Sequence, residues 1–348
     1  MRTQLLEVSS AAVSVGRVLV VDDIAANIAL ATALLRRDGY VVSSATNGIE
    51  ALEMVAREQP DLVLMDVMMP GLDGFEACRI LKAGPATRLI PVVLVTALQE
   101  TEDRIRGIDA GADDFISKPF NAPELRARLR SLVRIKRYTD DLDTAESVIL
   151  SLALTVEARD QCTEGHCQRL AAYATGLGRE LSLDDDDVAA LDRGGVLHDI
   201  GKIGIPDRIL LKPAGLTAAE FDVMKQHTVI GDRLCGELRF LRRVRPIVRH
   251  HHERLDGSGY PDGLSGDAIP ILAQILGVVD VFDALTTSRP YKPAMAAADA
   301  YRELQREVGR GWRRADLVAR FLRLADDGRL PQFDAGGSHV VDHLRSRD

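Results

Sequence analysis

The sequence predicts two domains of different class: a doubly wound α/β domain with a five-stranded parallel sheet, then an all-α domain, joined by a helical linker. Three observations predict it. The chain has 348 residues, more than one ordinary domain needs. Up to about residue 137, short β-branched apolar runs alternate with helical patterns, as strands buried on both faces of a parallel sheet do. Beyond that point no period-two alternation recurs, and the text is helical. The expected divisions are a lead over 1–15, the α/β domain over 16–136, the linker over 137–149, the helical domain over 150–326 and a tail over 327–348.

Composition narrows the classes of function. With 46% hydrophobic and 28% charged residues the chain has ample core. No apolar run approaches the ~18 residues of a spanning helix, and MRTQLLEVSSAAVSV at the start lacks the sustained apolar core of a signal peptide. No membrane partner is expected. The four cysteines (Cys78, Cys162, Cys167, Cys235) show neither CxxC spacing nor disulfide density, which fits reduced thiols in a cytoplasm. A net charge of −8 without a long basic run argues against nucleic acid. The acidic run Asp184 to Asp187 reads as the first turn of a helix capped by Ser182.

In the first half the expected strands are RVLVV (17–21), YVVSS (40–44), DLVLM (61–65), PVVLV (91–95) and DFIS (114–117), with helices through Leu34 and Leu35 and over about 48–58. In such a sheet chemistry collects beyond the strand carboxyl ends. Those ends carry Asp22 and Asp23, then Asp66, then Thr96, then Lys118-Pro119. One Asp after a strand is usually a helix cap. Three carboxylates in one pocket repel each other and call for a cation, and a hard ion such as Mg²⁺ suits oxygen ligands.

This ordered set resembles the response-regulator receiver family over residues 17–136. The resemblance implies that Asp66 is the phosphoacceptor, attacking a phosphoryl group supplied by a cognate sensor histidine kinase. It implies Mg²⁺ held by Asp23, Asp66 and the Met68 carbonyl, with Asp22 acting through the water shell. Lys118 would pair with the phosphoryl oxygens, Thr96 would move toward them, Phe115 would be the switch aromatic, and Pro119 a cis-proline.

After Lys136 apolar residues recur at spacings of three and four: Ile135, Tyr138, Leu142, Ala145, Ile149, Leu152 and Val156. That is a heptad seam, suited either to a partner helix in a homodimer or to packing on the chain's own second domain.

The second half gathers six of the eight histidines between 166 and 252. A lone histidine on an apolar face is more often a core residue than a ligand. Here His166, His198-Asp199, Lys202, His227, His251-His252 and Asp280 follow one another in helical text. Imidazole with carboxylate is the ligand mixture of Fe, Mn, Zn or Co. One Asp between two metals would make a binuclear site, whose ions, roughly 3.5–4 Å apart, hold both the attacking and the leaving oxygen of a phosphate.

HDIGKIGIPDRILLKPAGLT (198–217), MKQHTVIG (224–231), HHERLDGSGYPDGLSGDAIP (251–270) and DVFDALTTSRPYKP (280–293) are similar to the HD-GYP family of cyclic di-GMP phosphodiesterases, over about 148–321. The family implies metal ligands His166, His198, Asp199, His227, His251, His252 and Asp280, with Asp199 bridging. Two divalent transition metals, iron or manganese in first place, are the implied cofactors. Asp199 and Lys202 would be the catalytic pair, Lys202 contacting the scissile phosphate. Gly259, Tyr260 and Pro261 would line the substrate groove, Arg289 and Lys292 would bind substrate phosphates, and Asp283 would contact guanine. His250 remains a polar neighbour.

Two departures stand out. Where some members hold a third metal with a Glu four residues before the first histidine, this chain has Cys162, and Glu164 is out of register, so a binuclear centre is favoured. Where the family often reads Phe-Asp-Pro near the C-terminus, this chain has Trp312-Arg313-Arg314, an expectation about packing alone.

The resemblance thus implies a response regulator that hydrolyses cyclic di-GMP to pGpG, and onward to GMP, under control of Asp66 phosphorylation. Two alternatives stay open. One is a signalling adaptor that binds diguanylate cyclases or other proteins without turnover; the other is a phosphodiesterase for another cyclic dinucleotide such as cyclic GMP-AMP.

Overall fold

The computed structural model describes residues 15–96, 101–159, 165–288 and 293–331. The chain divides into two units, Met1–Ala145 and Glu146–Asp348. The first begins with β1 (Gly16–Val21), α1 (Ala25–Arg37), β2 (Tyr40–Ala45), α2 (Gly48–Glu58) and β3 (Leu62–Asp66). It continues with α3 (Gly74–Ala83), β4 (Val92–Thr96), α4 (Thr101–Asp109) and β5 (Asp114–Ser117). All strands are parallel, in the order β2-β1-β3-β4-β5. The five expected strands are all present within a residue or so of the expected bounds.

The period of two sends successive strand residues to opposite faces. Leu19, Val21, Val63, Met65, Val92 and Leu94 meet Ala51 and Val55 of α2 and Phe75, Cys78 and Leu81 of α3. Val18, Val20, Leu62, Leu64, Val93 and Val95 meet Leu35 of α1 and Leu125, Leu129 and Val133 of the next helix. Strand order reverses between β1 and β3, and the ends of those two strands define a crevice.

That next helix, α5, runs without interruption from Ala122 to Arg159 and crosses the division between the units. The expected linker is therefore part of one long helix. Of its heptad seam, Ile149 and Val156 pack into the core of the second unit. Ile135, Tyr138, Leu142 and Leu152 stay exposed, at 56%, 63%, 61% and 52%. Packing on the second domain thus accounts for the last turns only.

The second unit is helical: α6 (His166–Glu180), α7 (Asp185–Leu197), α8 (Asp207–Leu210), α9 (Ala218–Gly236), α10 (Arg245–His250), α11 (Ile271–Thr286), α12 (Ala297–Gly309) and α13 (Ala315–Asp326). A tight 3₁₀ turn, Ile200–Gly204, follows α7. Helix α11 is apolar nearly all round and buried over Leu272–Val279, the mark of a central helix. Phe282 meets Phe321 of α13 edge-on at a centroid distance of 5.0 Å.

One cap differs from expectation. Ser182 does not cap α7; it adopts a left-handed φ of 56° and closes α6, with Leu183 N–H reaching back to Gly178 O. The cap is Asp184 itself, accepting from Asp187 N–H at 2.7 Å. An aspartate at that position satisfies an orphan donor of the helix as well as a serine would.

Candidate metal centre and phosphoacceptor pocket

The second unit brings six of the seven expected ligands together from four places in the chain. Asp199 has one oxygen on each side of a divided cluster. Its Oδ2 lies 3.2 Å from His198 Nε2, and its Oδ1 lies 3.3 Å from His227 Nε2. Ligating atoms of His166, His198 and Asp199 lie within 4.8 Å of one another, and so do those of Asp199, His227, His251 and His252. The seventh, Asp280, approaches the first group, with Oδ1 3.7 Å from His166 Nε2.

Local structure explains how each ring is aimed. His198, His227 and His251 each donate Nδ1–H to the carbonyl three residues upstream, at Gly195, Met224 and Val248, at 2.8–2.9 Å. A carbonyl can only accept, so these rings are held in the tautomer that presents a bare Nε2 inward. The result is a set of buried atoms without hydrogen-bond partners: Nε2 of His198, His227 and His251, and Oδ1 of Asp199. Leaving such groups unpaired costs free energy. Convergent imidazole nitrogens around a carboxylate fit divalent transition metals.

The charges of three of the rings point the same way, and His198 is drawn toward positive charge by its carboxylates. Burial pushes the His227, His251 and His252 imidazoles down, which keeps them neutral and able to donate lone pairs. Burial also disfavours charge on Asp199, but Lys202 and His198 outweigh it and hold the carboxyl well below its ordinary range. For His198 burial acts downward, and the Asp199 and Asp280 carboxylates more than reverse it, raising the group to about 9. Lys202 Nζ sits 2.8 Å from Asp199 Oδ2.

Two glycines make the approach possible. A Cβ on Gly201 would fall 1.8 Å from His227 O, so only glycine lets the turn after Asp199 lie against α9. A Cβ on Gly259 would meet Arg254 N at 2.4 Å, where the loop after His252 folds on itself. That loop is held by Glu253, whose buried carboxylate accepts backbone N–H groups of Asp262, Gly263 and Leu264 at 2.8–3.1 Å. Tyr260, followed by cis Pro261, lies over the His252 ring at 4.8 Å. Behind the loop, Arg254 stacks on Trp312 at 3.7 Å, and Trp312 O accepts Leu255 N–H. The departure at Trp312 therefore touches the loop as well as the last helices.

Asp283 is placed differently from the guanine contact that the resemblance implies. It is 1% exposed; Oδ2 accepts His166 Nδ1–H at 2.7 Å, and Oδ1 accepts Arg169 Nε–H at 2.6 Å. Both oxygens face protein groups, behind the cluster. Arg289, Lys292, Cys162 and Glu164 lie outside the described residues. His250 stays a neighbour, its Nε2 3.4 Å from Asp262. Glu253, Arg169 and Gly201 escaped the sequence reading. The signals were present: Glu253 adjoins the two histidines, and Arg169 lies one helical turn after His166.

In the first unit Asp22, Asp23 and Asp66 also bring their oxygens within 4.8 Å of one another. Lys118 Nζ bridges Asp22 at 2.8 Å and Asp66 at 3.0 Å, and Lys118-Pro119 is cis. Asn27, which sequence reading did not single out, donates to both oxygens of Asp22. Burial pushes the Asp66 carboxyl up, partly countered by Lys118. Three carboxylates against one ammonium leave negative charge, which fits a hard cation. Thr96 is buried at the end of β4, Met68 is exposed beside Asp66, and Phe115 packs so tightly on α4 that a Cβ on Gly107 would meet its ring at 2.3 Å.

Fold and site together define a receiver-type α/β domain joined to a helical HD-type hydrolase domain. Comparison with known proteins agrees: residues 18–130 match the response regulator receiver domain family, and residues 151–313 match the HD domain family. The chain is 40% identical over 281 residues to the cyclic di-GMP phosphodiesterase response regulator RpfG of Xanthomonas campestris pathovar campestris, covering 74% of each. It is 36% identical to a cyclic di-GMP phosphodiesterase of Thermotoga maritima, over 83% of this chain and 85% of that one. A 3′3′-cGAMP-specific phosphodiesterase of Vibrio cholerae is 34% identical over 59% of this chain and 42% of its own length. The chain belongs to the family of response regulators that carry a receiver and an HD phosphodiesterase domain.

Proposed function

We propose that this protein hydrolyses cyclic di-GMP to pGpG, and onward to GMP, at the centre built on Asp199, and that phosphorylation of Asp66 regulates it. One observation carries the reading: Asp199 stands between two groups of histidines, and the buried inward nitrogens of His198, His227 and His251 have no partner. His166, His198 and Asp280 would hold one divalent metal, and His227, His251 and His252 the other, with Asp199 shared. Such ions, iron or manganese for this donor set, supply when bound an activated water and charge on the leaving 3′ oxygen.

The protein's own groups do the rest. The Nδ1–H bonds fix the rings, so no reorganisation is needed when phosphate arrives. Lys202 is the positive group on the bridging carboxylate and would face the scissile phosphate. Tyr260, over His252, would meet a guanine base, and Gly259 and Pro261 set its loop. Arg289 and Lys292 would neutralise the substrate's phosphates. Glu253 keeps the loop in place.

In the receiver, Asp66 would take a phosphoryl group from a sensor histidine kinase in the presence of Mg²⁺, with Lys118 following the new charge and Thr96 and Phe115 responding. The exposed stripe of Ile135, Tyr138, Leu142 and Leu152 supports a homodimer through α5. No described helix is long and apolar enough to cross a membrane; a cytoplasmic place of action is part of this proposal.

The test is turnover of cyclic di-GMP and cyclic GMP-AMP side by side by anaerobically purified protein, with metal analysis. Cleavage of cyclic di-GMP with about two ions bound supports the reading. Preference for cyclic GMP-AMP would move the protein toward the Vibrio relative. Binding of a diguanylate cyclase without any turnover would make it an adaptor.

A further inference from the structure

Of the five histidines in the centre, four have their outer nitrogen tied so that the inward one is bare, and the chain achieves this in two ways. His198, His227 and His251 each have a carbonyl one turn back to receive Nδ1–H. His166 cannot use that device, because it is the first residue of α6 and has no preceding turn in its own helix. Its Nδ1–H goes instead to a carboxylate on α11, Asp283, at 2.7 Å.

A buried carboxylate needs its own support. Arg169, one turn along α6 from His166, gives Nε–H to Asp283 Oδ1 at 2.6 Å and Nη2–H to Oδ2 at 3.1 Å. All three side chains are at least nine-tenths buried.

We infer that Asp283, braced by Arg169, is a positioning residue that fixes the ring of His166 and sets the affinity of the metal on that side of Asp199. A charged acceptor raises the basicity of the imidazole more than a carbonyl does. Among these four rings only His166 depends on a removable side chain, so the two metal positions differ by construction. This gives Asp283 a role within the protein in place of a guanine contact.

The inference rests on the two-ion reading, and cobalt(II) titration of chelator-treated full-length protein separates the two. Magnesium in the buffer keeps the receiver pocket filled, and visible absorption follows uptake. Wild type should take up about two equivalents. In Asp283→Asn one should bind as before and the other about tenfold to a hundredfold more weakly. The KM for cyclic di-GMP at saturating cobalt should stay unchanged. Arg169→Gln leaves the carboxylate in place and should weaken the same ion to a smaller degree; it carries the test if Asp283→Asn does not fold. Two ions bound as in wild type with a raised KM would return Asp283 to the substrate. Equal loss of both ions would overturn the inference as well. A wild type that takes up only one equivalent would defeat the two-ion reading instead.

Discussion

At the scale of single residues, the proposed centre separates groups that would hold metal from groups that would act on substrate. Asp199→Ala removes the atom shared by both histidine groups, so bound metal and turnover are expected to fall together. Full activity with metal retained would refute the bridging role. Lys202 is bonded to Asp199 but is itself a cation and no metal ligand. Lys202→Ala is expected to lower kcat about a hundredfold while metal content holds, and a collapse of metal would assign it to the scaffold. The residues of the cluster were legible in the sequence because a metal site needs particular residue types, and these stood next to one another in HD and HH pairs. The direction of a side chain was not legible. Asp280 and Asp283 lie on α11 within one turn, yet Asp280 faces the cluster directly and Asp283 meets the far side of an imidazole and Arg169. Spacing alone does not separate those two positions.

Among the elements, α9 shows how a surface feature supports a buried ligand. It carries His227, and its N-terminus is closed by a reciprocal capping box between Thr217 and Glu220, with Lys212 added to the carboxylate. Lys212 and Thr217 lower the Glu220 group from an ordinary 4.5 to about 2. Its contribution is therefore complete above pH 4.5 and is lost as pH falls toward 2. Glu220→Gln should melt below wild type at neutral pH, and the gap should hold down to about pH 4.5 and narrow from there to about pH 3; a constant gap would remove the carboxylate from the account. Thr217→Ala should cost about 1 kcal/mol. In the core, Phe321→Ala on α13 should cost about 3–5 kcal/mol in denaturant unfolding, since its ring is fully buried against Phe282. The five strands were legible from β-branched runs bounded by turns. The cap at Asp184 was misread by two residues, because Ser and Asp serve equally as acceptors and only the backbone angle of Ser182 decides between them.

For the whole molecule the question is whether chemistry at Asp66 changes chemistry at Asp199. A local charge change reaches another domain only through an element with two arrangements, and α5 is the element the two units share. Beryllofluoride is expected to raise hydrolysis or dimer affinity about fivefold or more, and Asp66→Asn to abolish the response while keeping basal turnover. Wild type indifferent to the mimic in both rate and sedimentation would separate the two activities. The sequence carried the seam of α5 but not its occupant, since a heptad stripe suits a partner helix and a core equally well. One further property belongs to the chain as a whole. It has a single tryptophan, and Arg254, which lies against that ring, belongs to the loop that also carries Tyr260. Indole emission from this protein is therefore a one-site optical signal that originates beside the loop proposed to meet substrate. Stopped-flow fluorescence of unlabelled protein should follow the arrival of a cyclic dinucleotide in real time, and Trp312→Phe should leave the instrument dark.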